Sequence, residues 1–423
     1  MRRLHSTLLS LSCVLAVTSA PASAQELAVV IADALAHAPL LEAAQAGEAA
    51  ARARFDRAKA ERNPLLRVEG SVGTGRIDNG RFFGIAPASV TPLTVQATTE
   101  MPLYTGGRLS AAIAQAGSGA EMARFGTEQA RLQTIVQAVS GYAELLTARK
   151  LEARFGQLVN ELAEVERQAG LRFKVGDIAR SDLAQAQARK AEAMAGLAQA
   201  QGRRQSAEAA FLRLTGKPAE ELAPLPPILL TPPTIDEALD RARQSNPALR
   251  QARAATEAAK AAERGARAEA RPTVGAFAEA AHVRDQFFSG YKADSVAVGL
   301  RGRWTLFSGG RIAARTREAS ADLDAAQAMV RQADHMLEGL VIDAWQSVIT
   351  ARRMVDASRL RLAAASEALR DTQLEAKVGA KPMLAVLDAE REAIEAEAAL
   401  AESEGRQTVA AWQLNALTGS LPN

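Results

Sequence analysis

Residues able to do covalent or metal chemistry are few in this chain and far apart. Cys13 is the sole cysteine, so no disulfide framework is expected. His5, His37, His282 and His335 share no ligand spacing with one another or with carboxylates, so neither a metal nor a cofactor is expected. Gly106-Gly107-Arg108 and Gly309-Gly310-Arg311 are glycine pairs without the Lys-Ser/Thr that would hold phosphate and its metal. No nucleophile elbow occurs either, so an enzyme is the weakest reading. Charge is nearly balanced, with 51 Lys+Arg against 48 Asp+Glu. No basic block stands out, which argues against a nucleic-acid partner.

What remains is architecture. Of 423 residues, 48% are hydrophobic but only 4% are aromatic. The difference is largely alanine, the best helix former and a poor core filler, which points to long helices packed closely. The first residues read as a secretory signal: Arg2 and Arg3, an apolar run over 8–17, and the small-x-small site Ala22-Ser23-Ala24. Residues 1–24 are therefore expected to be removed, Cys13 with them, leaving Gln25 first. No later stretch has the roughly 18 uninterrupted apolar residues of a spanning helix. An exported chain of this kind is periplasmic, secreted, or an outer-membrane barrel.

The chain repeats itself. An offset of 203 carries Tyr104 to Phe307, Gly106-Gly107 to Gly309-Gly310, Tyr142 to Trp345, Val175-Gly176 to Val378-Gly379, and Leu214-Thr215-Gly216 to Leu417-Thr418-Gly419. Upstream the offset is 208, carrying Pro39 to Pro247 and Pro64 to Pro272. The first repeat is read as 25–216 and the second as 235–423. Between them 217–234 holds six of the 16 prolines and reads as a linker. Each copy has one plan: a helical run (27–61; 235–269), two strand candidates, a long helical run opened by Gly-Gly, a Val-Gly break, and a last helix closed by Thr-Gly, a C-cap signal. The long helix spans ~100 Å, and the two shorter ones together nearly match it. Such helices must bury their apolar stripes against each other, as coiled coils do.

The strands form a second environment. Leu66, Val68 and Val72 alternate with Arg67, Glu69 and Ser71, and Leu93, Val95 and Ala97 with Thr94, Gln96 and Thr98. In the second copy Val296, Val298, Leu300, Trp304 and Leu306 alternate with polar residues, while 274–283 alternates weakly. One apolar and one charged face suits a membrane barrel; a half-buried soluble sheet alternates the same way. Four strands are too few for a spanning barrel, and an open edge is not viable in lipid, so membrane strands require an oligomer. Tyr104, Trp304 and Phe307 sit at strand ends, where an aromatic girdle would lie.

Pro102-Leu103-Tyr104-Thr105-Gly106-Gly107-Arg108 and Leu306-Phe307-Ser308-Gly309-Gly310-Arg311 resemble the strand-to-helix junction of the TolC-type outer-membrane channel family. Asn246-Pro247-Ala248-Leu249, Arg172-Phe173-Lys174-Val175-Gly176 and both Leu-Thr-Gly ends match that family too. The resemblance implies an α+β membrane protein: a long coiled-coil helical tunnel, and four β-strands per chain contributing to a twelve-stranded outer-membrane barrel in a homotrimer. It also implies a periplasmic adaptor protein and an inner-membrane ABC or proton-driven transporter as partners. Val175, Gly176 and Asp177, with Val378, Gly379 and Ala380, would be the adaptor-contact tips. Asp182 and Lys381 match the partners of a charged gate link, and Asp388 matches one ring carboxylate. An aromatic gate partner is replaced by Ala376, and a second ring position by Ala385.

The function so implied is a passive export conduit. The stretch Val175-Gly176-Asp177-Ile178-Ala179-Arg180-Ser181-Asp182 looks most like members serving type I protein secretion. A multidrug efflux role is the alternative. A periplasmic coiled-coil scaffold without a pore is a second alternative, which leaves the alternating strands unexplained.

Overall fold

The computed structural model describes residues 24–78 and 87–421. The expected signal segment, apart from Ala24, lies outside them. The described elements run α1 (Leu27–Ala36), α2 (Pro39–Ala60), β1 (Leu65–Val72), β2 (Gly75–Ile77), β3 (Ala88–Val90), β4 (Leu93–Tyr104), α3 (Arg108–Lys174) and α4 (Arg180–Thr215). The second half runs α5 (Ile235–Ser245), α6 (Pro247–Ala268), β5 (Thr273–Arg284), β6 (Lys292–Arg303), α7 (Arg311–Lys377) and α8 (Met383–Thr418). Equivalent helices match in length: 22 residues in α2 and α6, 67 in α3 and α7, 36 in α4 and α8.

Two sequence expectations are corrected. The first helical run of each repeat breaks in two, before Pro39 and before Pro247. Proline lacks the N–H that would continue the ladder and drives its predecessor out of the α region; Ala38 and Asn246 have ψ of 102° and 124°. Asn246 also caps α6, its Oδ1 accepting from Ala248 N at 3.0 Å and Leu249 N at 3.3 Å. The last strand stops at Arg303 rather than running through Leu306. Trp304 instead turns back, its Nε1 donating to Ala270 O at 3.1 Å.

The helices form a single wall. α3 and α7 run its full length, about 100 Å each. In one half α2 packs on α3, and α6 lies between α3 and α7; in the other, α4 packs on α3, and α8 lies between α3 and α7. The short helices thus stack end to end along the long ones. Buried residues of α4 include Ala186, Ala193, Ala200 and Ala207, a spacing of seven that keeps one seam facing its neighbour and favours left-handed supercoiling. Three apolar clusters hold the wall. The first gathers Leu27, Val30, Val139, Tyr142, Leu145, Phe211 and Trp412. The second gathers Leu249, Val341, Val348 and Leu414, and the third Leu158, Leu162, Ala193, Leu387 and Ile394. α8 contributes to all three, so it fastens the second repeat to the first.

The four-stranded sheet has the order β1-β4-β5-β6, all antiparallel. Register places Leu66, Val68 and Val72 on the same face as Val95, Ala97, Ala280, Val296, Val298 and Leu300. Most of these are well exposed, Val296 at 80%. The opposite face carries Arg67, Glu69, Gln96, Thr98, Glu100, Glu279 and Arg301, with Arg301 paired to Glu100 at 2.8 Å. Among the described residues, neither edge strand, β1 or β6, has a second partner strand.

Candidate functional site: hairpin tips and the seam between them

Each strand-to-helix junction is built by paired glycines. Gly106 and Gly107 have φ of 62° and 96°, Gly309 and Gly310 of 59° and 85°. This left-handed backbone suits glycine and turns the chain sharply from sheet into helix. Tyr104 and Phe307 are both exposed there, Phe307 at 89%.

The two tips share one geometry. Gly176 N donates to Phe173 O at 3.0 Å and Asp177 N to Arg172 O at 2.9 Å. In the second tip Gly379 N donates to Ala376 O at 3.1 Å and Ala380 N to Glu375 O at 2.9 Å. This is the Schellman motif, whose C′ residue takes a left-handed backbone; Gly176 and Gly379 both have φ of 77°. The motif leaves Val175 and Val378 almost fully presented, at 79% and 80% exposed. The tips differ in charge. Arg172 pairs with Asp177 at 2.6 Å, and Lys381 pairs with Glu375 at 2.6 Å.

The expected gate residues therefore all have partners within one chain. Lys381 is held by Glu375. Asp182 accepts from the Ala179 amide at 3.3 Å, capping the start of α4. The chain does not bring Asp182 and Lys381 together. Asp388 lies 2.9 Å from Arg189 of α4, a contact between the two hairpins.

That contact belongs to a longer seam. Arg154 of α3 pairs with Glu397 of α8 at 2.6 Å, and Lys150 approaches the same carboxylate at 3.6 Å. Arg189, Asp388, Phe155, Leu158, Leu387 and Ile394 help line a small cavity of about 190 Å³. Glu161 of α3 and Glu390 of α8 share a hydrogen bond across the seam. Burial, that bond and the Glu161 charge push the Glu390 carboxyl up from 4.5 to about 8, against the opposing pull of Arg154. The protonated form fits the closed seam. Its contribution is full below about pH 4.5, falls as pH rises, and is smallest above about pH 8. Glu390→Gln should remove this dependence. The melting temperature of the wild type should fall more than that of the variant between about pH 5 and about pH 9. Parallel melting curves would dissociate Glu390 from the seam's pH response.

Neither the Arg189 to Asp388 contact nor the Glu161 to Glu390 contact is signalled in the sequence, since each joins residues of different repeats. The family resemblance marks Asp388 by position, without its partner Arg189.

A wall of paired long helices, joined through double-glycine turns to a sheet with one apolar face, defines a channel-forming outer-membrane architecture. The chain belongs to the outer membrane efflux protein family, whose model matches residues 30–217 and 238–420. It is similar to the outer membrane efflux protein BepC of Brucella suis biovar 1, at 26% identity over 290 residues. That match covers 68% of this chain and 63% of the relative's length. The fold matches the CmeC outer membrane channel of Campylobacter jejuni with a TM-score of 0.81 at 16% identity, covering 93% of this chain and 85% of that one. It matches the outer membrane protein VceC of Vibrio cholerae with a TM-score of 0.76 at 22% identity, covering 93% and 96%. It is thus an outer-membrane protein of that family, and both internal repeats carry the family's fold.

Proposed function

We propose that three copies close into one twelve-stranded barrel continued by a helical tunnel, and that this tunnel passes cargo delivered by an inner-membrane transporter through a periplasmic adaptor. The observation that carries this reading is the sheet. Its apolar face is exposed and its edges β1 and β6 are open, a combination that lipid tolerates only after closure with further copies. The helical wall supports it: α7 leaves Met329, Met336, Leu340 and Leu360 exposed, ready for a neighbouring copy. Three chains present six similar tips, and Val175 and Val378 are the contacts offered to the adaptor.

The cargo reading divides in two. Efflux is supported by the likeness to the outer membrane efflux protein BepC. Type I protein secretion is supported by the tip stretch 175–182. Deleting the protein separates them: sensitisation to drugs with an unchanged secreted proteome supports efflux, and loss of a secreted protein without sensitisation supports secretion. Cross-linking from Asp177 should capture an adaptor in either case. Recovery as a soluble periplasmic monomer would sink the channel reading altogether.

By resemblance Asp388 lies near the gate axis, and here it is neutralised by Arg189. Opposite effects on block by multivalent cations follow in bilayer conductance. Asp388→Ala should weaken the block, and Arg189→Ala should strengthen it by leaving three unpaired carboxylates. Unchanged block in both variants would remove this pair from the gate.

A further inference from the structure

The far end of the β5–β6 hairpin carries charge on a face whose middle is mostly apolar. Arg284 and Lys292 are directly opposed ladder partners. Register puts them on the face of Val72, Leu93, Val296 and Val298. Both side chains are exposed. One row inward on that face, His282 Nδ1 and Asp294 Oδ1 lie 2.6 Å apart and satisfy each other.

The height of this pair is set by the strand. β6 has 12 residues from Lys292 to Arg303. At about 3.4 Å per residue and a tilt of about 45°, Lys292 stands about 26 Å above Arg303. The apolar band of a membrane barrel is about 25 Å tall. With the Tyr104 and Trp304 end at one interface, Arg284 and Lys292 reach the headgroups of the other.

The connecting loop is built for an interface as well. Phe287 and Phe288 each pack edge-on to Tyr291, at 5.1 Å and 5.3 Å between ring centroids. Asp285 holds the turn, its Oδ1 accepting from Gly290 N at 2.6 Å. Its other oxygen lies 3.5 Å from Arg284 Nε, leaving the end of the guanidinium free to bond outward. Aromatic rings beside paired cations suit a ligand with an apolar body and an anionic head.

We propose that Arg284 and Lys292 bind the phosphate of an outer-leaflet glycolipid, with the Phe287, Phe288 and Tyr291 loop packed against its apolar part. The proposal rests on the barrel reading. Guanidinium and ammonium on one phosphate supply charge-assisted bonds; of the two carboxylates nearby, Asp285 engages only the Nε side of Arg284 and Asp294 is held by His282.

The test titrates purified lipid A, and the same lipid A stripped of its phosphates, into the detergent-solubilised protein, with bound lipid counted by native mass spectrometry. The wild type should bind the phosphorylated form at least about tenfold more tightly. R284Q/K292Q should lose that preference while keeping its assembly mass. Equal binding of the two lipids by the wild type, or a preference kept by the double variant, overturns the proposal. Displacement by millimolar inorganic phosphate would make the ligand a bare anion and overturn the lipid assignment. Failure to recover an outer-membrane oligomer would overturn the barrel reading, and the proposal with it.

Discussion

Replacing Tyr142 with alanine is expected to destabilise the helical wall by about 3–5 kcal/mol. Tyr142 is fully buried in the cluster that gathers α1, α3, α4 and α8. Its hydroxyl reaches the Gln25 carbonyl at 3.0 Å and also the Ala223 carbonyl. Gln25 N in turn donates to Glu221 O at 2.7 Å, and Ala223 N to Gln25 O at 3.1 Å. One side chain therefore ties the N-terminal segment and the proline-rich linker to the middle of the wall. Burial and the nearby Glu26 carboxylate raise its pKa above the usual 10, so it remains a neutral donor. Tyr142→Phe keeps the ring and should cost only about 1 kcal/mol. Denaturant unfolding followed by helical signal measures both. An alanine variant no weaker than the phenylalanine variant would show that the ring is not what holds these segments.

Gly106→Ala should be the more damaging of two equivalent junction substitutions. A left-handed backbone costs a non-glycine residue about 1–2 kcal/mol, and both Gly106 and Gly309 have it. At Gly106 the new Cβ would also stand 2.6 Å from Arg271 Cβ, whereas at Gly309 it would meet nothing within 4 Å. Arg271 is itself fixed, since its Nη1 donates to Gly106 O at 3.1 Å. Gly309→Ala therefore reports strain alone, and Gly106→Ala reports strain plus a steric conflict at the sheet-to-helix turn. The yield of assembled, heat-modifiable barrel should drop at Gly106 well before it drops at Gly309. Equal losses would mean that the Arg271 contact relaxes freely.

Much of this fold was legible in the residues because it is periodic and stated twice. The double glycines, the Val-Gly tips and the Thr-Gly ends recur at a fixed offset, and each marks a place where backbone geometry permits little else. The alternation in 66–72 and 296–300 gave the sheet's two faces. The kinks at Pro39 and Pro247 were equally local but were overridden by the helical pattern around them. Contacts across the seam were a different matter. Arg189 to Asp388 and Arg154 to Glu397 depend on how two helices from different repeats are rotated, which no short window encodes. The aromatic group of Phe287, Phe288 and Tyr291 had a visible signal, three rings within five residues between two strands.

The alanine seam of α4 has a consequence for alignment. Ala186, Ala193, Ala200 and Ala207 are four identical teeth, and a zipper with identical teeth closes almost as well one tooth along. A slip of seven residues, about 10.5 Å, would keep three of the four contacts. The seam supplies closeness but no index mark. That mark comes from unlike residues: Phe155 of α3 seated against Gly196, where a Cβ would stand 2.7 Å from its ring, and Phe211 locked into the upper cluster. Between such detents the helix rides on small, smooth contacts. A helical wall made this way holds its length firmly and yields readily to twist.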